Sequence, residues 1–121
     1  MQTQAKDFIQ KIAAIWTQGQ IELLADYYSL DFQANFYGYE VNFAALIKRL
    51  QYMIQHQKQR QMQVLDAIGQ ANKLAARFHY TAIDSINGKI DLEFLGFYQL
   101  NAEAKISRAW AYANQAVDYR Y

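Results

Sequence analysis

The spacing of apolar residues shifts near His56, from a first half dominated by repeats of three and four to a second half that repeats in twos throughout. Steps of three and four stack side chains on one face of a helix, whereas steps of two assign them to one face of a strand. Ala5, Phe8, Ile9, Ile12, Ala13 and Trp16 follow the first rule, and the helix they predict ends near Gly19. Ile21, Leu24, Ala25 and Tyr28 predict a second, short helix, and Asp31 to Tyr37 alternates as a strand before a turn at Gly38. Asn42 is placed to cap a third helix, whose Phe43, Leu46, Ile47, Leu50 and Ile54 carry the pattern to about His56.

Four strand-like runs follow, Met62 to Ile68, Lys73 to Ile83, Lys89 to Leu100 and Lys105 to Ala113. Runs this close in sequence pair antiparallel, which gives an α+β class in the order α-α-β-α-β-β-β-β, with helices on one face of a curved sheet. The polar run from Gln55 to Gln61 is expected to be the solvated end of the third helix. Leu74, Ala76, Phe78, Tyr80 and Ala82 make an apolar strand face opposite Arg77, His79 and Thr81, and Leu92, Phe94, Gly96, Tyr98 and Leu100 make the next one. A two-residue loop at Asn87-Gly88 would mix these faces. A three-residue Ile86-Asn87-Gly88 loop keeps them apart by pairing Tyr80 with Phe94 and Phe78 with Gly96, with Gly88 left-handed.

With 121 residues, 53% of them hydrophobic and none of them proline, the chain suits one domain spanning 1–121 and no disordered linker. Twelve basic and eleven acidic residues leave a net charge of +1, so no overall field draws nucleic acid or anionic lipid. The absence of cysteine excludes disulfides, thiolate zinc sites and cysteine nucleophiles. The polar start Met1-Gln2-Thr3-Gln4-Ala5-Lys6-Asp7 lacks the apolar core of a secretory signal, and no run is apolar enough to span a membrane. The expected location is the cytoplasm.

Among the carboxylates, Asp66 alternates with Met62, Val64 and Ile68 on the apolar side of its strand. A carboxylic acid buried there would resist ionisation, as acid–base catalysis near neutral pH requires, while a strand-end aspartate reaching water is the plainer alternative. His79 shares the polar side of its strand with Arg77 and Thr81 and reads as a surface residue, and no clustered spacing links it to His56, so no metal is expected. Ser29, Ser85 and Ser107 lack a nucleophile-elbow setting, and the five glycines form no phosphate loop or dinucleotide fingerprint, so no cofactor is expected either. Phe36, Phe78, Tyr80, Phe94 and Tyr98 suit either the wall of an aromatic ligand pocket or a simple core. In the last strand Ile106, Trp110 and Tyr112 alternate with Ser107, Ala109, Ala111 and Ala113. If the small residues face inward, Trp110 and Tyr112 turn outward beside Leu95 and Phe97 and form an apolar patch suited to a homodimer. The alternative turns the aromatic side toward the helices.

The stretch from Gly19-Gln20-Ile21-Glu22 to Tyr28-Ser29-Leu30-Asp31, the run from Asn87-Gly88-Lys89 through Phe97-Tyr98-Gln99-Leu100, and Ala104 to Trp110 together carry a family likeness. Over nearly its whole length the chain resembles the nuclear transport factor two-like superfamily, the cystatin-like α+β cone of SnoaL-like polyketide cyclases and ketosteroid isomerases. The resemblance implies a bent sheet wrapped around helices, a pocket at the open end and, in many members, a homodimer. Members include isomerases, cyclases, dehydratases and noncatalytic binding or transport proteins, so activity must be argued from the site.

Ketosteroid isomerisation needs a carboxylate base with tyrosine and protonated aspartate donors. The resemblance puts the tyrosine near Ile12, the base near Asn35 or Phe36 and the acid at Gly96. None of these transfers a proton, although Asn35 retains hydrogen-bonding capacity. The late-strand aspartate of the polyketide cyclases is matched only by Gly96, Phe97 and Tyr98. The leading expectation is therefore a hydrophobic small-molecule site lined by Asn35, Phe36, Phe78, Tyr80, Phe94 and Tyr98, with no assignable reaction. The alternatives are a lyase or isomerase of a hydrophobic cyclic substrate, with Asp66 as acid or base, and a noncatalytic protein-interaction module.

Overall fold

The computed structural model describes residues 2–117. Helix α1 spans Gln2–Gln18, a 3-10 turn covers Ile21–Leu23, and α2 is the single turn Leu24–Tyr27. Strands β1 (Tyr28–Phe36) and β2 (Tyr39–Asn42) lead into α3 (Phe43–His56), followed by β3 (Gln57–Gln70), β4 (Lys73–Asp84), β5 (Gly88–Leu100) and β6 (Ile106–Ala113). The six strands form one sheet in the order β2-β1-β6-β5-β4-β3, with β1 and β6 parallel and every other pair antiparallel. The α+β class and the order of elements are those predicted, with the short β2 added.

The local signals explain most boundaries. Gly19 ends α1 in a left-handed conformation, φ 71°, and its amide and that of Gln20 both donate to the Ile15 carbonyl. Asn42 caps α3 by accepting from the Ala45 amide at 2.8 Å. The second predicted helix is shorter than expected, because Tyr28 is already extended and pairs with β6.

The polar run after His56 is a correction: from Gln57 it is the start of β3, not a helix end. Pairing of Gln57 and Lys58 with Asp84 and Ile83 recruits it into the sheet, and a bulge at Gln59, φ 55°, absorbs its irregularity. Arg60 turns back and donates to the carbonyls of Trp16, Thr17, Met53 and Gln57. One guanidinium thus satisfies the ends of both long helices, a role that carries no periodic signature.

The β4–β5 register is a second correction. The loop has three residues, but they are Ser85-Ile86-Asn87, so Phe78 pairs with Phe94 and Tyr80 with Leu92. The faces stay unmixed and Gly88 is left-handed at φ 78°, as predicted, but the register moves by two. The cause is Asp84, whose Oδ1 accepts from the amides of Ile86 and Asn87 at 2.7 and 3.0 Å and closes the turn one residue earlier. Ile106 also departs from its alternation and is fully buried, next to an irregularity in the β5–β6 ladder.

The core fills the concave side of the sheet. Ile9, Ile15, Leu24, Phe32, Leu46, Leu50, Phe78 and Ile106 are its largest fully buried side chains. Each contributes roughly 1.5–3 kcal/mol by leaving water. Toward one end of the sheet this packing gives way to an open volume.

Candidate functional site

A cavity of about 580 Å³ lies between α1, α3 and the inner faces of β4, β5 and β6. Exposed residues on its lining, Asn87, Lys89, Asp91 and Gln115, mark its mouth beside the β4–β5 turn. The alternating inner positions of β4 and β5 supply its walls. Phe78 and Phe94 stack at 4.6 Å with planes 15° apart, and Tyr37 meets Phe94 edge to face at 6.2 Å. Ile12, Trp16, Met53, Met62 and Leu92 complete an apolar surface.

Tyrosines contribute several of the polar atoms on this surface. Trp16 Nε1 donates to the Tyr28 hydroxyl at 3.2 Å. Burial pushes the Tyr28 phenol up to about 12, against the opposing Trp16 hydrogen bond. Burial also raises Tyr98 well above the ordinary phenol range, with nearby Tyr28 and Tyr37 adding to it. Tyr37 and Tyr80 are raised by burial as well, opposed at Tyr37 by Arg49 and at Tyr80 by Arg60 and Arg49. All four phenols are neutral at physiological pH and act as hydrogen-bonding groups, not bases.

Beside Tyr80, a buried chain of hydrogen bonds converges on one carboxylate. Asp84 is 3% exposed; its Oδ1 holds the two turn amides, while its Oδ2 accepts from Gln57 Nε2 at 2.9 Å and from the Tyr52 hydroxyl at 3.3 Å. Tyr80 donates its hydroxyl hydrogen to Gln57 Oε1. Burial raises the Asp84 pKa, but these donors together outweigh it and leave the group below the ordinary carboxylate value. The result is an ionised carboxylate with its lone pairs engaged, suited to fixing neighbours and poorly suited to accepting a proton.

Of the residues singled out in the sequence, Phe36, Phe78, Tyr80, Phe94 and Tyr98 all line this cavity. Asn35 does not; it is exposed, and its Oδ1 accepts from the Gly38 amide at 3.0 Å, which secures the β1–β2 turn. Asp66 is on the outer face. A bulge between Val64 and Asp66 shifts the β3 register, so Asp66 stands opposite Arg77 instead of continuing the inward face of Val64. Its side chain is 68% exposed and pairs with Arg77 at 2.8 Å. The apolar surroundings that would have prepared it for acid–base work are absent.

Leu95, Phe97, Trp110 and Tyr112 are exposed on the outer sheet face, with Leu95 paired to Tyr112 and Phe97 to Trp110. His79 Nε2 meets Asp91 Oδ1 at 2.7 Å, and His56 Nδ1 meets Ser85 Oγ at 3.0 Å. Sequence reasoning missed Trp16, Tyr28, Tyr37, Arg49, Tyr52, Gln57 and Asp84 on the lining. For Asp84 a signal was present: one further step of the alternation Leu74, Ala76, Phe78, Tyr80, Ala82 reaches it, and Ser-Ile-Asn-Gly behind it is turn chemistry.

No family model and no curated protein matches the chain. Solved structures do match it. A SnoaL-like polyketide cyclase from Agrobacterium tumefaciens superposes with a TM-score of 0.78 at 16% identity, over 92% of this chain and 91% of the other. A protein of ketosteroid isomerase-like fold from Catenulispora acidiphila, in complex with trimethylamine, gives 0.76 at 10% identity over 93% and 87%. TsrD from Streptomyces laurentii gives 0.77 at 8% identity over 90% and 87%. At such identities the likeness shows the fold, and the fold is that of the nuclear transport factor two-like superfamily.

Proposed function

From the premise of that fold, we propose that the protein binds a hydrophobic, ring-bearing small molecule in the cavity between α1, α3 and β4–β6. The observation that carries this reading is an aromatic-walled volume of about 580 Å³ whose lining includes the hydrogen-bonded set Tyr80, Gln57 and Asp84. Cavities of this size and composition are the usual form of small-molecule sites. Flat walls such as the Phe78–Phe94 stack favour flat ligands. Likeness to a structure described as a polyketide cyclase supports a cyclic ligand of that general kind.

No reaction is part of this reading. Among the described residues, the single carboxylate buried on the lining, Asp84, is engaged by four donors, and Asp66 stands outside. A pure interaction module is less well supported, since its aromatics would fill the interior instead of lining a cavity. The outer face adds a second element: Leu95, Phe97, Trp110 and Tyr112 form the face of a homodimer. Acidic Asp66 and Glu93 and basic Arg77 lie around it, so a two-fold contact can set unlike charges against each other.

Calorimetric titration with bicyclic and tricyclic aromatic compounds tests the binding reading, paired with Ala111→Phe, which fills the cavity from the β6 wall. Binding by the natural chain and its loss in the variant are expected. Failure of every compound to bind the natural chain would sink the reading.

A further inference from the structure

The hydrogen-bond chain beside the cavity has a fixed direction, and that direction has a chemical consequence for the ligand. Both oxygens of Asp84 accept: Oδ1 from the amides of Ile86 and Asn87, Oδ2 from Gln57 Nε2 and the Tyr52 hydroxyl. Backbone amides donate only, so the carboxylate has no freedom to reverse. Gln57 must spend its amide hydrogens on Asp84, which aims its carbonyl oxygen at Tyr80. Tyr80 has one hydroxyl hydrogen and gives it to that oxygen. What Tyr80 then offers the cavity is an oxygen with lone pairs and no hydrogen.

We infer that Asp84, acting through Gln57, makes Tyr80 a hydrogen-bond acceptor toward the cavity, and that the protein selects cyclic ligands bearing a hydroxyl donor over equally sized ketones. This rests on the ligand-binding reading above. Gln57 and Asp84 are positioning residues here, and Tyr80 is the group that touches the ligand. Arg49 also lines the cavity, so the preference must be traced to Tyr80 by substitution.

The polarity of the chain predicts its reversal. In Asp84→Asn the side-chain carbonyl stays on the two turn amides, because they can only donate, and the new NH2 group faces Gln57. The Gln57 amide then rotates by half a turn and presents Nε2 to the Tyr80 oxygen. The Tyr80 hydrogen swings into the cavity, and an acceptor becomes a donor. A carboxylate-to-amide change that alters no volume thereby alters which ligand is preferred.

The probes are 1-naphthol, a donor, and 1-tetralone, an acceptor of similar size, titrated by calorimetry into the natural chain, Asp84→Asn and Tyr80→Phe. The natural chain is expected to prefer 1-naphthol by about fivefold, the effect of one hydrogen bond. Asp84→Asn is expected to bind 1-tetralone more tightly than the natural chain does, and Tyr80→Phe to lose the preference while keeping its affinity for 1-tetralone. Equal binding of the two probes by the natural chain, or a preference that survives Tyr80→Phe, would overturn the inference and leave the ligand-binding reading standing. Absence of binding by both probes, together with failure of the wider aromatic panel, would overturn both. If Asp84→Asn fails to fold, the natural chain and Tyr80→Phe still decide the matter.

Discussion

The Tyr98 hydroxyl lies over Gly96, in the volume that a side chain at position 96 would take. The two residues share the inner face of β5, and the missing side chain of one makes room for the ring of the other. The position at which the resemblance expects a carboxylic acid is thus occupied by a neutral phenol from two residues along the strand.

Gly96→Ala is therefore expected to destabilise the protein by about 1–3 kcal/mol, since a methyl group there meets the Tyr98 hydroxyl and ring edge. Chemical denaturation measures it. In a double-mutant cycle with Tyr98→Leu, the cost at position 96 should shrink, because the obstructing ring is gone. Strictly additive effects would contradict the contact.

Asp84 sets the acid limb of stability. Its folded pKa is depressed, so its contribution is present above the unfolded value of about 3.9 and is lost as pH falls through the folded one. The natural chain should exceed Asp84→Asn in stability by about 1–3 kcal/mol at pH 7, with the gap narrowing below about pH 4. Urea titrations across this range decide it; parallel curves would show that the carboxylate is not depressed.

Asp66→Asn should change stability by no more than about 0.5 kcal/mol, because it removes only an exposed ion pair with Arg77. Ligand affinity should be unchanged. A large loss of binding in this variant would return Asp66 to the site.

Phe97→Asp places a charge in the middle of the exposed aromatic face formed with Trp110. Sedimentation equilibrium at micromolar concentration is expected to give twice the monomer mass for the natural chain and the monomer mass for the variant. A natural chain that sediments as a monomer would remove the dimer from the proposal.

Much of the architecture was legible because it rests on periodicity. The change of repeat near His56 marks where the last helix gives way to the run of long strands, Asn42 announces a cap, and the inward set Phe78, Tyr80, Phe94 and Tyr98 follows from alternation alone. What escaped was set by tertiary pairing. Bulges at Gln59 and before Asp66 reverse the parity on which face assignments depend, and no residue type there signals a bulge. Gln57 looked like solvated helix end because glutamine is seldom buried; only its partners Asp84 and Tyr80, distant in sequence, make burial affordable.

The parallel β1–β6 pair joins the first strand of the sheet to the last. On a ribosome, which releases the N-terminus first, β1 and β2 emerge long before β6, the strand that covers the inner edge of β1. Until then the nascent chain carries an unpaired edge beside Phe32 and Phe36, and the sheet cannot close from its antiparallel half alone. Arrival of β6 is thus the step that completes the sheet. Chains halted before Ile106 are the species a cell would have to shield from edge-to-edge association.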